Sequence, residues 1–384
     1  MKVLVGLTYY PPYISGVTLY GKRLADAFSK LGHEVTVLTM QHDVSLPFHE
    51  RQNGTEIFRA RPLFRLSKGI ISPEFWYLAL RLIPKVECVH IHLPQFDSIV
   101  LALIAKIFRK KVIITYHCDI KSPGGFINGL ACWLVRGLGR ISSSFADKVV
   151  SYTSDYATHT KDLVAIQSKV EIVPPPVEIR LANQNFVEQF RERHLISRVF
   201  PTIGMATRLA SEKGVEVLID AMPTIIKHFP QANVLFAGQS EGVLGEQQYS
   251  ELIQEKLKMS KLNRVWKEVG ILTQEEMSAF YQSIDVLVVP STNATESFGL
   301  VQIEAFLHGT PCVASDLPGV RQPVLISQMG YLVEPNDSIE LADAILRIFK
   351  NSPSFKTPDL SQFSSHSVAT RYTEIIQQIQ ARPL

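Results

Sequence analysis

Val286-Leu-Val-Val289-Pro290 leads, five residues later, into Glu296-Ser-Phe-Gly299-Leu-Val-Gln-Ile-Glu304-Ala-Phe-Leu-His-Gly-Thr-Pro311. The first run is short, β-branched and apolar, and reads as a buried strand. The second places a carboxylate, a Ser-Phe-Gly turn and another carboxylate eight residues on, at the start of a helical pattern. Strand, loop, helix is the arrangement in which a helix N-terminus offers free backbone N–H groups and the positive end of a dipole to an anion. Carboxylates bracketing an anion site suit hydroxyl groups next to a phosphate, as in a sugar nucleotide.

The same grammar extends in both directions. In the first half, strands are expected at Val3–Leu7, Glu34–Leu38, Glu56–Arg59, Cys88–His92, Val112–Tyr116 and Lys148–Tyr152. Helical patterns lie between them at Thr18–Leu31, Phe75–Leu82, Ser98–Phe108 and Phe126–Phe145. The second half repeats the alternation, with strands at Thr202–Ala206, Asn233–Ala237, Val265–Val269, Val286–Val289, Pro311–Ala314 and Tyr331–Val333. Its helices are expected at Val215–Phe229, Tyr249–Met259, Gln274–Ser283, Leu300–His308 and Ile339–Lys350, and a last one at Val368–Ile379. Alternation of this kind predicts parallel sheets with helices on both faces. Val173-Pro-Pro-Pro-Val177 cannot be helix interior and marks a domain boundary. The fold class is therefore α/β, with two doubly wound, Rossmann-like domains that bind ligand at the carboxyl ends of their strands.

Composition agrees with two packed domains. The 384 residues are 46% hydrophobic and 20% charged, which argues against disorder. Residues 1–182 carry 22 Lys and Arg against 14 Asp and Glu, and residues 183–384 carry 17 against 22. A basic front and an acidic back suit domains with different partners. No basic block interleaved with aromatics supports a nucleic-acid partner. Cys88, Cys118, Cys132 and Cys312 form no C-x-x-C pair and read as free thiols of a reducing compartment. No signal peptide and no membrane span is expected, which places the chain in the cytoplasm.

Individual motifs carry the chemistry. Gly204-Met-Ala-Thr-Arg208-Leu-Ala-Ser-Glu-Lys213-Gly214 follows a strand and brings a planar guanidinium and a point charge toward one diphosphate; the alternative is two solvated surface cations. Glu304 sits among Ile303, Ala305, Phe306 and Leu307, where an unpaired carboxylate is costly. Thr115-Tyr-His117-Cys-Asp119 ends a strand, so His117 is either a cleft residue near a sugar or a core histidine. His90 and His92 alternate in Val-His-Ile-His without a completing ligand, and no metal site is expected.

Together, Arg208, Lys213-Gly214, Glu296-Ser-Phe-Gly-Leu, Glu304-Ala and Gly309-Thr-Pro311 resemble the retaining GT-B glycosyltransferases of family GT4. The likeness runs from the Tyr-Pro-Pro…Gly16 loop to the last helix. It implies a GT-B fold: an acceptor-binding domain, residues 1–177 plus a returning helix 366–384, facing a nucleotide-sugar donor domain, residues 178–365, across a cleft. By analogy, Arg208 and Lys213 hold the donor diphosphate, Glu304 the ribose and Glu296 the donor sugar. Phe298, Gly299, Leu300 and Val301 then line sugar and phosphate, Gly238, Gly270 and Ile271 the base, Gly16 the diphosphate, and His117 the transferring sugar. Asp119 and Arg61 are candidate acceptor contacts.

The implied reaction is metal-independent transfer of a hexose from a UDP- or GDP-sugar, without a cofactor, to a glycan or lipid-linked acceptor, with α-linkage. A sugar-nucleotide epimerase and a non-catalytic nucleotide-sugar-binding protein are the competing readings. Two departures stand out: one glycine rather than two in the first loop, and Pro318-Gly319-Val-Arg321-Gln-Pro where the family often has Gly-Gly and a glutamate. Basic and aromatic residues of the first domain, Arg59, Arg61, Arg65, Lys68, Phe75-Trp-Tyr77 and Arg109-Lys-Lys111, suggest peripheral contact with an anionic membrane; the alternative is a solvated face over core aromatics.

Overall fold

The computed structural model describes residues 1–384 except 67–68, 121–125, 198, 244, 352–354, 357 and 382–384, so Lys68 lies outside the described residues. The chain divides into two compact units, Met1–Val177 with Ser361–Leu384, and Glu178–Leu360.

In unit 1 the strands are β1 (Lys2–Gly6), β2 (Glu34–Met40), β3 (His49–Gln52), β4 (Thr55–Ala60), β5 (Phe64–Leu66), β6 (Gly69–Ile71), β7 (Cys88–Leu93), β8 (Lys111–Tyr116), β9 (Lys148–Ser151) and β10 (Val170–Ile172). Eight of them form one sheet in the order β10-β9-β8-β7-β1-β2-β4-β3, while β5 and β6 pair separately as a hairpin. Every pairing in the large sheet is parallel except β3 with β4. Helices on both faces bury the central strands, so all six residues of β7 are buried, two histidines included.

The helix Gly16–Lys30 begins two residues before its apolar pattern. Ser15 caps it, its hydroxyl accepting from Thr18 N–H while Thr18 Oγ1 accepts from Ser15 N–H at 2.8 Å. Its buried stripe, Tyr20, Leu24, Ala27 and Phe28, packs against the last helix, Ser365–Gln380. Val177 N–H donates to Phe363 O at 2.7 Å, tying the end of the proline-rich segment to the chain that enters that helix.

Unit 2 contains β11 (Thr202–Ala206), β12 (Asn233–Ala237), β13 (Trp266–Gly270), β14 (Val286–Val289), β15 (Cys312–Ser315) and β16 (Gly330–Val333), all parallel, in the order β13-β12-β11-β14-β15-β16. Leu218, Met222 and Ile225 of the helix Val215–His228 pack with Leu341 and Ile345 of the helix Ser338–Asn351 in its core. Chain progression reverses between β11 and β14. Loops diverge there at the carboxyl ends of the strands and leave room for a ligand. Arg208 and Lys213 follow β11, and Glu296 follows β14.

Candidate active site

Backbone bonds fix the loop after β11 before any side chain is considered. Thr207 N–H donates to Ala237 O at 2.8 Å and Leu209 N–H to Gln239 O at 2.7 Å. Ser211 N–H donates to Glu246 Oε2 at 3.2 Å. This loop also meets the loop after β14, because Thr292 N–H donates to Glu212 O at 3.0 Å.

Gly214 makes the meeting feasible. Its φ is 67°, and a Cβ there would stand 2.0 Å from Pro290 O. Gly214→Ala is therefore expected to cost unit 2 on the order of 2 kcal/mol or more, from left-handed backbone strain plus displacement of Pro290. It should also raise the donor KM. Urea midpoints and donor kinetics like those of the unaltered chain would show that the two loops meet without need of a glycine here.

Across the joined loops Lys213 Nζ and Glu296 Oε2 form an ion pair, each side chain about four-fifths buried. Arg208 pairs with Glu212 and is more exposed. So the structure unites Lys213 and Glu296, 83 residues apart in sequence, while Arg208 turns to a neighbour on its own loop.

The helix Leu300–Leu307 starts from Gly299, whose φ of 81° and ψ of 72° are left-handed and whose position supplies no side-chain cap. The N–H groups of Leu300 and Val301 have no acceptor within the helix, whereas Gln302 N–H donates to Gly299 O at 3.0 Å. Gln302, fully buried, donates through Nε2 to Phe298 O at 3.1 Å and to Val320 O at 2.8 Å, pinning the turn from below. Glu304 is 7% exposed and accepts from Tyr281 Oη–H at 2.8 Å. His308 Nδ1 donates to Glu304 O at 2.7 Å, which leaves Nε2 to accept from Ser278 Oγ–H at 2.8 Å. Burial holds the His308 pKa below its ordinary value, consistent with that neutral tautomer.

Gly238 follows β12, with φ 137° and room for no Cβ, since one would stand 2.0 Å from Thr207 O. Its N–H donates to Gly270 O at 2.8 Å. Gly270, φ 74°, and the exposed Ile271 continue from β13. The candidate donor residues of unit 2 thus sit at the carboxyl ends of neighbouring strands.

Unit 1 presents a different chemistry. Gly16 is the first residue of its helix, behind the Ser15 cap. His117 is 3% exposed. Its Nε2 lies 2.7 Å from His92 Nδ1, and its Nδ1 contacts Tyr152 Oη. The cluster continues beside it: His90 Nε2 bonds Thr115 Oγ1 at 2.7 Å, Thr115 bonds Tyr372 Oη at 2.6 Å, and Tyr372 bonds Tyr20 Oη at 2.7 Å. Burial holds all three histidines below the ordinary value, His92 at about 3. Among the described residues no group of three His, Cys, Asp or Glu is placed to hold a metal ion.

Asp119 accepts from Tyr116 Oη–H at 2.5 Å, and its N–H donates to Tyr156 Oη at 2.8 Å. Arg61 is exposed, its N–H donating to Glu74 Oε2 at 2.6 Å. A cavity of about 360 Å³ is lined by Leu93, Tyr116, Cys118, Arg136, Arg140 and Lys161. Arg136 and Arg140 share the carboxylate of Asp162, at 2.9 and 2.7 Å. Burial would push Asp162 up, but the two guanidiniums hold it below the usual range.

Two sequence expectations change. Arg59 is no surface cation: it is 1% exposed, pairs with Glu50 and donates to Pro47 O and Pro11 O, both at 3.3 Å. Phe75 is fully buried and Trp76 Nε1–H donates to Asp97 at 2.6 Å, so of that aromatic trio only Tyr77 is exposed. Tyr281, Glu246 and Tyr152 complete the site without any signature in the sequence around them. Each acts through a partner 23 to 35 residues away, and no local pattern marks such pairs.

Comparison with known proteins accounts for both units. Residues 14–181 match the family model described as Glycosyltransferase Family 4, and residues 186–361 that described as Glycosyl transferases group 1. A D-inositol 3-phosphate glycosyltransferase of Corynebacterium jeikeium is 33% identical over 371 residues, covering 86% of this chain and 82% of the relative. The sucrose-phosphate synthase of Thermosynechococcus elongatus superposes with a TM-score of 0.78 at 20% identity, covering 99% of each chain. Anabaena HepE, solved with UDP-glucose, superposes with a TM-score of 0.71 at 18% identity over 99% of this chain and 98% of that one. The chain belongs to glycosyltransferase family 4 and has the GT-B fold, with two Rossmann-like α/β domains.

Proposed function

We propose that this glycosyltransferase moves a hexose from a UDP- or GDP-sugar, with retention of anomeric configuration and formation of an α-linkage, to a saccharide or lipid-linked acceptor. The observation that carries the reading is the Lys213–Glu296 pair, built from the two loops that flank the reversal point of the unit 2 sheet. Breaking the anomeric C–O bond leaves negative charge on the diphosphate. Arg208, Lys213 and the first-turn N–H groups after Gly299 are preorganised to receive that charge, the role in which electrostatics contributes most to rate. These groups supply the positive charge, so transfer needs no added divalent cation. Glu296 takes hydroxyls of the donor sugar and Glu304 those of the ribose, held in place by Tyr281. A neighbour in fold, HepE, binds UDP-glucose, which favours uracil as the base.

Unit 1 takes the acceptor. The relative from C. jeikeium acts on D-inositol 3-phosphate. The cavity at Arg136, Arg140 and Lys161 suits an acceptor that carries an anionic group of that kind, soluble or as a lipid headgroup at the inner face of a membrane.

The test is titration of the full chain with UDP-, GDP- and ADP-sugars, followed by NMR of slow donor hydrolysis with EDTA present. A UDP- or GDP-sugar should bind and release the α-anomer first. Absence of binding to all three sinks the donor site, release of the β-anomer first overturns retention, and conversion into a second sugar nucleotide marks an epimerase.

A further inference from the structure

The helix Phe126–Phe145 of unit 1 turns several large apolar groups outward. Leu130, Trp133, Leu134 and Ile141 are exposed, Trp133 at 70%, and with Gly137 they recur at the spacing of a single helical face. Arg136 and Arg140 run along one flank of that face. They share the carboxylate of Asp162, and Asp119 acts on Arg136 as well. The adjoining helix Ser98–Ile107, bonded to the first through Ser142 and Ser98 at 2.9 Å, exposes Leu103 and Ile107 and ends on Phe108, Arg109 and Lys110. Between residues 98 and 145 there are seven Lys and Arg against one Asp.

We infer that this face docks on an anionic lipid bilayer, lying in its interface with Trp133 as the deepest anchor. An exposed tryptophan amid aliphatic side chains, flanked by arginines, is the pattern of helices that rest at headgroup level. The basic charge complements anionic headgroups and sets two copies of the face against each other. No described helix is long and apolar enough to cross a membrane, so contact is along the surface. The inference builds on the lipid-linked reading of the acceptor, but it moves the contact away from Arg59 and Phe75, both buried, to a part of unit 1 that sequence alone represented only by Arg109-Lys-Lys111.

The experiment mixes the full chain with vesicles of phosphatidylcholine, alone or with phosphatidylglycerol. Co-sedimentation is expected only with the anionic vesicles, weakening as salt rises. Tryptophan emission should shift to the blue, and Trp133→Phe should bind yet lose most of that shift, because Trp266 is buried and Trp76 is held by Asp97. Trp133→Asp combined with Ile141→Asp changes only exposed positions and should weaken vesicle binding by about tenfold or more. Failure to bind anionic vesicles, unchanged binding of the double variant, or a dimer in solution that the double variant dissolves would overturn the proposal. None of these readings uses donor or acceptor, so their failure leaves glycosyl transfer standing.

Discussion

Replacing Glu296 with alanine is expected to lower turnover by about two to three orders of magnitude, the range found when one preorganised polar partner is removed from an active site. Affinity for free UDP or GDP should be kept or raised. The split follows from the ion pair: Glu296 neutralises Lys213, so its removal frees an ammonium for phosphate while depriving the sugar of an acceptor for its hydroxyls. Calorimetry with the nucleoside diphosphate and kcat with the nucleotide sugar separate the two effects. Turnover near that of the unaltered chain would demote Glu296 to a surface charge. Equal loss of diphosphate affinity and turnover would make it a residue that merely shapes the loop. Lys213→Ala should show the opposite split, with diphosphate affinity falling.

The second large effect concerns acid. His90, His92 and His117 are buried and neutral in the fold, while in the unfolded chain each takes a proton below its ordinary value of about 6.5. Their contribution to stability is complete above that value and is lost as pH falls. Each costs about 1.4 kcal/mol per pH unit, so three together cost about 4. For His92 the loss continues down to about 3. Asp97 works in the other direction. Burial pushes its carboxyl up to about 6, so as pH falls from 6 toward the ordinary carboxylate range the folded state takes up the proton first and regains about one histidine's share. Unit 1 should therefore begin to soften as pH falls through 6.5 and steepen below 6, where three histidines less one carboxylate leave a net difference of about two protons, roughly 3 kcal/mol per pH unit. Urea unfolding at a series of pH values measures the slope, and His90→Gln should reduce it by about half below pH 6. A midpoint independent of pH between 7 and 5 would contradict the buried cluster.

The strand positions of both units were readable because buried parallel strands are near-continuous apolar runs, and each of the twelve expected strands lies within two residues of its place. What escaped notice has the opposite character. β3 is His-Glu-Arg-Gln on an antiparallel edge, with nothing apolar to betray it. The helix Gln184–Arg193 buries only Val187 and Phe190, too few for a periodic signal. At Pro318–Pro323, noted only as a departure from the family, a short helix, Gln322–Ser327, begins instead, with proline in its first turn, where a missing N–H costs nothing.

The donor residues were legible because strand-end loops concentrate charge and glycine at fixed offsets. Which carboxylates they would meet was not: Arg208 pairs with Glu212 and Lys213 with Glu296, the second across 83 residues of sequence. The histidines show the same limit, since His92, His117 and Tyr152 come from three strands or strand ends, and only their packing reveals that they share hydrogen bonds.

The last helix, Ser365–Gln380, has a consequence for the order in which the molecule is made. Tyr372, fully buried between Tyr20 and Thr115, belongs to the opening 177 residues in space but is translated after unit 2. The contiguous second unit can close as soon as it leaves the ribosome, whereas the first waits with the buried place of Tyr372, beside Tyr20 and Thr115, unfilled. The half of the chain synthesised first is thus the half that finishes last, and any early stop or C-terminal clipping strikes the amino-terminal unit.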